Sequence, residues 1–434
     1  MKRKFIEELN SWKDTGMKKP LLVIGARQIG KTYVIEEFIK KEFKDCLSFN
    51  LEKDTDIRDI FEKSIDDRII MQNLELYLGR KIDIENTILF FDEVQVSENF
   101  IVSLKYFNES KNNYKIICAG SLLGVKLNHF NKSFPVGKVE IKFMNQMNFE
   151  EVLIATGNEM LRDKIIECYN NMTPLPDVLH NKLLEIYKKY LCVGGMPEAV
   201  QDFIKKDLDV LLFDKNILFG IREMYIADMS KYVKNNLESI KIEKVYNNIP
   251  TQLAKENKKF QYNLLDKGAR KRKFQSAIEW LMTARLILMN HNANKVEIPL
   301  KVYKEEDSFK MYLNDVGILT NLSELSFSDI MLDKNFMFKG ALAENYVAEE
   351  LNANKNALYY WTSGQDAEVD FLLYSETDGI IPIEVKSGVR VSSKSLNVYI
   401  EKYKPNYAIR VSAKNFGYEN NIKSVPLYAA FCIK

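Results

Sequence analysis

The chain has 434 residues, which is enough for two to four domains at about 150 residues each. Its 46% hydrophobic and 28% charged residues are the proportions of a folded protein rather than a disordered one. Because 62 Lys and Arg residues nearly balance 60 Asp and Glu residues, the net charge of +2 excludes a histone-like nucleic-acid binder but permits a local basic patch.

The sequence shows no membrane segment, secretion signal or disulfide framework. Its longest apolar runs, such as Ile88–Phe91, are far too short to cross a bilayer. The first residues, MKRKFIEELNSWKDTG, lack the apolar region of a signal peptide. The five cysteines are scattered without zinc-site spacing, which is typical of free thiols in a reducing cytosol. We therefore expect a cytoplasmic protein that has no membrane partner.

The first third of the chain alternates β-branched runs with helical stretches. This alternation predicts an α/β domain, over residues 1–160, with a mostly parallel sheet and helices on both faces. The predicted strands are LLVI at 21–24, CLSFNL at 46–51, TILFFDE at 87–93, KIICAGS at 115–121 and KVEIKF at 138–143.

The middle of the chain, residues 161–325, is predicted to be mainly helical. Apolar residues between Leu179 and Leu191 recur at helical spacing, and the pair Gly194-Gly195 indicates the end of that helix. A later amphipathic helix, KRKFQSAIEWL, leads into RLILMNH, which is predicted to be a strand.

The run GARQIGKT, which follows the first predicted strand, fits the phosphate-loop pattern G-x-x-x-x-G-K-[ST] at every fixed position. Gly25 and Gly30 allow a tight turn that points backbone N–H groups at phosphate, Lys31 reaches the β- and γ-phosphates, and Thr32 places a hydroxyl on Mg²⁺. The motif therefore predicts a nucleotide site formed by Gly25, Ala26, Arg27, Gln28, Ile29, Gly30, Lys31 and Thr32.

Two further strand ends are predicted to meet at this nucleotide. The apolar strand TILFF ends in Asp92, which is placed to hold Mg²⁺, and Glu93 follows it, placed to take a proton from the attacking water. KIICAG ends in Ser121, which we expect to contact the γ-phosphate, although a serine there also simply caps helices.

Hydrolysis also requires a positive charge that stabilises the transition state. Arg27, Lys138 and Arg222 are the candidates, and the sequence does not choose among them.

Residues 254–273 form a basic segment with eight Lys and Arg residues against two acidic residues. Two short helices, a basic turn, a third helix and then strands is the order of a winged-helix module, whose third helix binds the DNA major groove. Phe260 and Tyr262 within the segment suit base stacking. The alternative is a solvated basic face, or one that contacts the ATPase domain. The residues expected to touch nucleic acid are Arg270, Lys271, Arg272 and Lys273.

Residues 326–434 are predicted to form a third domain with the order helix, hairpin, helix, strand. EVDFLLYSE and IIPIEVKSG are the hairpin strands, and their alternation allows Asp370, Glu384 and Lys386 to cluster. Glu344, on the helix GALAENYVAEEL, is expected at the same place. Two carboxylates that hold Mg²⁺ beside a lysine indicate phosphodiester hydrolysis. The alternative is a polar face with a salt bridge across the hairpin.

Together these blocks resemble the prokaryotic AAA+-type ATPases that carry a C-terminal domain of unknown function, DUF4143. The resemblance covers most of the chain. GARQIGKT and LFFDEVQ are shared with many ATPases, whereas YLCVGGMPEAV, AEVDFLL and PIEVKSG are far more specific to this group.

The resemblance implies a fold for each of three parts of the chain and a role for several residues. It implies a P-loop NTPase core of the AAA+ (ASCE) type with one additional strand, a helical and winged-helix-like middle, and a C-terminal fold similar to PD-(D/E)xK nucleases. It also implies that Thr32 and Asp92 hold Mg²⁺, that Glu93 activates water and that Ser121 senses the γ-phosphate. Many relatives have Arg where this chain has Lys138, which weakens the case for an arginine finger there.

The main hypothesis is an ATP-binding, Mg²⁺-dependent ATPase whose nucleotide state switches its C-terminal domains. The alternatives are an ATP-regulated DNA nuclease or DNA-binding ATPase in defence or repair, and a scaffold that binds ATP to gate a protein contact. ATP, Mg²⁺, DNA and a homo-oligomeric or protein partner are the expected ligands.

Overall fold

The computed structural model describes residues 1–127, 134–231, 233, 236–332, 338–364, 367–389 and 394–434. The chain contacts divide it into two compact units. The first comprises Met1–Gln146 with Thr283–Arg285, and the second comprises Met147–Met282 with Leu286–Lys434. The boundaries expected at 160 and 325 stay predictions.

The first unit contains five strands and six helices among its described residues. Its strands are β1 (Leu21–Ile24), β2 (Asp45–Asn50), β3 (Thr87–Asp92), β4 (Lys115–Gly120) and β5 (Glu140–Phe143). Its helices are α1 (Phe5–Asp14), α2 (Lys31–Glu42), α3 (Thr55–Lys63), α4 (Asp67–Leu78), α5 (Glu98–Glu109) and α6 (Leu123–Leu127).

These strands form one parallel sheet with the order β2-β3-β4-β1-β5. All six residues of β3 are buried, as expected for a strand covered by helices on both faces. β4 lies between β1 and β3, so the predicted parallel α/β sheet and its additional strand are confirmed. Because all the strands are parallel, their carboxyl ends lie along one edge, and ligands of such sheets bind there.

The second unit is built from helices α7–α17 and strands β6–β13. The helices are α7 (Phe149–Ala155), α8 (Glu159–Asn171), α9 (Asp177–Val193), α10 (Pro197–Lys205), α11 (Lys215–Lys231), α12 (Asn236–Leu253), α13 (Lys271–Thr283), α14 (Val316–Leu322), α15 (Phe327–Met331), α16 (Lys339–Ala353) and α17 (Lys394–Tyr403). The strands are β6 (Ile287–Ala293), β7 (Lys304–Leu313), β8 (Tyr359–Thr362), β9 (Glu368–Ser375), β10 (Gly379–Val385), β11 (Ala408–Ser412), β12 (Gly417–Glu419) and β13 (Ile422–Pro426).

The eight strands among the described residues of the second unit form one mixed sheet with the order β12-β13-β11-β10-β9-β8-β6-β7. The predicted hairpin is the antiparallel pair β9 and β10, in which Ile383 lies opposite Phe371.

The strands expected to be the wing of a winged helix, β6 and β7, pair with each other and join this same sheet through β8. The preceding helices α11 and α12 have 17 and 18 residues, so they are not short. The winged-helix interpretation is therefore not confirmed.

The specific motif YLCVGGMPEAV forms a close junction between the end of α9 and the start of α14. Gly195 donates its backbone N–H to Asp315 Oδ2 at 2.7 Å, while Asp315 Oδ1 accepts from the Ile318 N–H at 2.9 Å and caps α14. A Cβ atom on Gly195 would lie 1.7 Å from the Met147 carbonyl oxygen, and one on Gly194 would lie 2.2 Å from Asp315 Oδ1. Glycine is required at both positions because the neighbouring atoms leave no room for a side chain.

Two predictions about composition are also tested by the structure. The five cysteines are free thiols, and all except the half-buried Cys46 are buried. Across the described residues, no helix combines the length and the apolar character that spanning a membrane requires.

We expect Gly195→Ala to destabilise the second unit by roughly 1–3 kcal/mol or more, because a rigid backbone carbonyl would have to move. Gly220→Ala is the matched control. Gly220 lies in α11 with nothing near its Cβ position, so alanine there should stabilise the helix by about 0.5–1 kcal/mol. Urea denaturation followed by circular dichroism measures both changes. Equal stabilities for the two variants would contradict the close packing at Gly195.

Candidate nucleotide site and C-terminal carboxylate cluster

The phosphate loop connects the buried strand β1 to helix α2, as predicted. Gln28 and Gly30 take left-handed backbone conformations, with φ of 63° and 85°, which bend the loop back before the helix begins at Lys31. A Cβ atom on Gly25 would lie 2.4 Å from the Met144 carbonyl oxygen, so this glycine cannot be replaced without moving the backbone. The first turn of α2 has no acidic residue, which leaves its N-terminal N–H groups suited to an anion.

Lys31 lies folded over this loop. Its Nζ atom donates hydrogen bonds to the carbonyl oxygens of Gly25 at 3.0 Å and Ala26 at 2.8 Å. Burial lowers the pKa of Lys31 to about 8, a shift that the negative charges of Glu93 and Asp92 only partly offset. Because its present partners are neutral carbonyls, exchanging them for phosphate oxygens would be favourable.

The two residues predicted to hold Mg²⁺ lie in direct contact. Thr32, on α2, donates its hydroxyl to Asp92 Oδ2 at 2.6 Å, although 60 positions separate them in sequence. Asp92 ends β3 and is buried. A hydroxyl and a carboxylate oxygen side by side at the carboxyl edge of the sheet are hard oxygen ligands of the kind that Mg²⁺ binds.

Glu93 is held by two side-chain donors, one close to it in sequence and one from the end of β4. Its backbone is in the left-handed region, with φ of 53°. Its Oε2 atom accepts hydrogen bonds from Gln95 Nε2 and, at 3.3 Å, from the Ser121 hydroxyl. The structure therefore brings Ser121, at the end of β4, to the carboxylate of Glu93, the residue predicted from the sequence to be the general base.

The three candidates for a transition-state charge differ in their surroundings. Arg27 is half-buried within the loop, and its charge contributes to lowering the pKa of Lys31. Lys138 forms an exposed ion pair with Glu109 at 2.8 Å. Arg222 belongs to the second unit, where it contacts Glu223 at 3.2 Å.

Sequence reasoning missed two side chains of this site. Gln95 is 1% exposed and contacts Glu93, and its position two residues after the acid in DEVQ was the only signal. Arg3 donates to the Ile29 carbonyl at 2.7 Å and to the Asn145 carbonyl at 2.6 Å, which ties the loop to the end of β5. No pattern in MKRK indicates that role.

In the second unit, the hairpin cluster assembles as its alternation predicts. Asp370 Oδ2 accepts from the Val385 N–H at 2.8 Å, so its carboxylate lies beside β10 next to Glu384. Lys386 contacts Glu384 Oε1 at 3.2 Å. Burial raises the pKa of Glu384 and of Asp370.

A lysine that the sequence did not single out joins this cluster. Lys310, on β7, is fully buried and forms ion pairs with Glu344 at 2.8 Å and Glu368 at 2.5 Å. It also lies 3.6 Å from Asp370. Glu344 is therefore at the predicted place, but its contact with Asp370 is made through an ammonium group.

Only part of the basic segment is free to meet a nucleic acid. Lys258 pairs with Glu344, Lys271 with Asp307, and Lys273 with Asp266. Phe260, which was expected to suit base stacking, is instead buried and stacks on Phe309 with ring centroids 5.2 Å apart.

Comparison with known families assigns three parts of the chain. Residues 17–153 match a family model described as an AAA domain. Residues 184–329 and 339–430 match two domains of unknown function, DUF8612 and DUF4143 respectively. The chain thus carries an AAA-type P-loop domain and a DUF4143 domain, and the resemblance drawn from the motifs is confirmed.

The individual proteins to which the chain is similar have low sequence identity with it. The chain is 24% identical over 383 residues to the Uncharacterized protein MJ1544 of Methanocaldococcus jannaschii, covering 83% of this chain and 74% of that protein. Its fold is weakly similar to the Walker-type ATPase Paby2304 of Pyrococcus abyssi, with a TM-score of 0.44, 15% identity, and coverage of 74% and 95% of the two chains. It is also similar to the ORC2 protein of Aeropyrum pernix in ADPNP–ADP complexes, with a TM-score of 0.37, 12% identity, and coverage of 76% and 92%.

We expect the affinity for ATP to fall by up to about tenfold per pH unit above about pH 8. Phosphate favours the ammonium form of Lys31, whose lowered pKa means that binding at higher pH must also take up a proton. The terminal phosphate itself titrates near pH 6, well below this range. Calorimetric titration across this interval measures the effect, and a constant Kd would show that Lys31 stays charged.

Proposed function

We propose that the first unit binds ATP with Mg²⁺ and hydrolyses it, and that the nucleotide state switches the domains of the second unit. The contact between Thr32 and Asp92 carries this proposal, because it joins the phosphate loop to the acidic end of β3. The sheet that holds both has an AAA-type strand order. The AAA domain match supports the ATPase class.

Binding would use the groups already gathered at the carboxyl edge of the sheet. The N–H groups of residues 25–32 and the start of α2 would receive the phosphates, and Lys31 would move its hydrogen bonds from two carbonyls to phosphate oxygens. Thr32 and Asp92 would hold Mg²⁺, which when bound supplies positive charge that offsets the charge of the phosphates.

Glu93 would accept the proton of the attacking water. Gln95 and Ser121 both donate to its Oε2 atom, so we assign proton acceptance to Oε1. The same two donors fix the direction of the carboxylate, which is the positioning that a general base requires. The Ser121 hydroxyl is also the group that we assign to sense the γ-phosphate.

We expect Glu93→Gln to bind ATP but to lose about 10²–10⁴-fold in the hydrolysis rate, because the amide cannot accept the proton. Lys31→Ala should lose ATP binding itself. The matched control is Glu85→Gln, an exposed position outside the site. Nucleotide titration and steady-state phosphate release measure the two steps. Absence of ATP binding, or binding unaffected by Lys31→Ala, would contradict the proposal.

The switching part of the proposal needs a separate measurement. We expect hydrogen exchange in residues 147–434 to differ between the nucleotide-free protein and the ATP-bound Glu93→Gln variant, because a ligand can shift only an equilibrium between states that it binds unequally. Identical exchange patterns would limit the effect of ATP to the first unit.

A second candidate function is nucleic-acid binding at the start of α13. Lys267, Arg270 and Arg272 line a shallow surface pocket with no acidic residue in its lining. The first turn of α13 has no acidic residue either. An anion such as a backbone phosphate is the ligand that such a surface favours.

For this candidate, the double variant Arg270→Ala with Arg272→Ala should weaken duplex DNA binding. It should also reduce the slope of log Kd against log salt concentration by about two. Lys271→Ala is the control, because Lys271 is already paired with Asp307. Fluorescence anisotropy over a salt series measures both. If DNA binding and DNA-stimulated ATP hydrolysis were the same in all three proteins, this surface would not be the binding site.

A further inference from the structure

The C-terminal carboxylate cluster carries an implication that is independent of the proposed ATPase activity. A nuclease-like arrangement of Asp370, Glu384 and Lys386 implies a divalent cation, so the residues around these carboxylates decide whether one fits. Four acidic side chains approach one another there: Glu344, Glu368, Asp370 and Glu384.

An ammonium group already lies among three of these carboxylates. Lys310 Nζ is 2.8 Å from Glu344 Oε1, 2.5 Å from Glu368 Oε1 and 3.6 Å from Asp370 Oδ1. Its side chain is fully buried, with 0% exposed. The Tyr312 hydroxyl donates to the same Glu344 oxygen at 2.5 Å.

A second ammonium group approaches from the basic segment. Lys258 forms an ion pair with Glu344 Oε2, so both oxygens of that carboxylate have cationic partners. Lys258 lies in the loop after α12 with φ of 49°. The Phe260 N–H donates to the Phe309 carbonyl at 2.9 Å, which fixes this loop against β7.

Two further carboxylate oxygens of the cluster also have partners. Asp370 Oδ2 accepts from a backbone N–H, and Glu384 Oε1 contacts Lys386. Among the described residues, the other Glu384 oxygen is buried without a hydrogen-bond partner, and the positive charge nearest to it is the Arg410 guanidinium, 4.0 Å away. Four negative charges therefore face four positive ones, and a divalent cation would add two unbalanced charges in a buried site.

A divalent cation would also need carboxylates arranged around one point. Mg²⁺ is octahedral and is usually held by one or two carboxylates, with waters as its other ligands. In the described part of the chain, no three His, Cys, Asp or Glu side chains come together in a way that would hold a metal ion. The residues present thus do not fit the metal that the nuclease-like pattern implies.

We propose that the ammonium groups of Lys258 and Lys310 take the place of the divalent cation in this cluster. The cluster is then a metal-independent ion network that joins the loop after α12 to β7, α16 and β9. Lys310 is the permanent member because it is fully buried, whereas Lys258 is 20% exposed and reaches the network from a loop. A nuclease reaction that depends on Mg²⁺ does not occur at this site while the two lysines are present.

Binding of Mn²⁺ to the nucleotide-free full-length protein tests this proposal. We expect the wild type to have no Mn²⁺ site that both has a Kd below roughly 1 mM and is lost in the Asp370→Asn variant. We expect Lys258→Met, and Lys258→Met with Lys310→Met, to gain at least about tenfold in Mn²⁺ affinity, because each removes a competing positive charge. Adding Asp370→Asn should abolish the gain.

Electron paramagnetic resonance of free Mn²⁺ measures the affinity, and thermal unfolding with and without Mn²⁺ reports the same binding as a rise in Tm. Lys259→Met is the matched control, because it removes one exposed lysine next to Lys258 without touching the network. If the double variant does not fold, Lys258→Met alone decides. A wild-type Mn²⁺ site lost in Asp370→Asn, or no gain in affinity in Lys258→Met, would overturn the proposal.

Discussion

The buried ammonium group of Lys310 is the interaction on which the second unit depends. It lies among Glu344 on α16 and both Glu368 and Asp370 on β9, while its own backbone belongs to β7. Burial alone would lower the pKa of Lys310, but the carboxylates around it raise that pKa well above its usual value. Removing one partner of such a buried pair leaves a charge without compensation, which typically costs about 3–5 kcal/mol. Helix and sheet are thereby tied together at one point.

The two lysines that are buried in the described part of the chain illustrate opposite uses of the same group. Lys31 bonds to two neutral carbonyls, and burial lowers its pKa to about 8, so it gains by meeting an anionic phosphate. Lys310 bonds to carboxylates and has its charge already balanced. The first lysine is therefore ready for a ligand, whereas the second holds a fold together. This difference supports an active nucleotide site in the first unit and a closed, metal-independent network in the second.

Predictions from contiguous motifs agree most closely with the structure. The phosphate loop could be predicted because its eight residues are consecutive and the strand and helix around it have strong periodicity. The end of α9 could be predicted from Gly194-Gly195, although the structural reasons lie elsewhere in the chain. Asp315, more than a hundred positions away, leaves no room for a side chain on Gly194, and the Met147 carbonyl leaves none on Gly195. The winged-helix interpretation depended on element order alone. Element order does not specify which sheet a hairpin joins, and β6 pairs with β8.

The sequence by itself determined the parallel α/β domain, its phosphate loop, the acidic end of β3 and the pairing of the hairpin strands, because local periodicity and backbone chemistry specify each of these. Only the tertiary structure decided which charges meet. Arg3 reaches the phosphate loop, Gln95 and Ser121 hold Glu93, and Lys258 and Lys310 enclose Glu344. Such contacts depend on the distances between side chains that are remote in sequence. Burial then decides how strongly the charges interact, and no local pattern records either quantity.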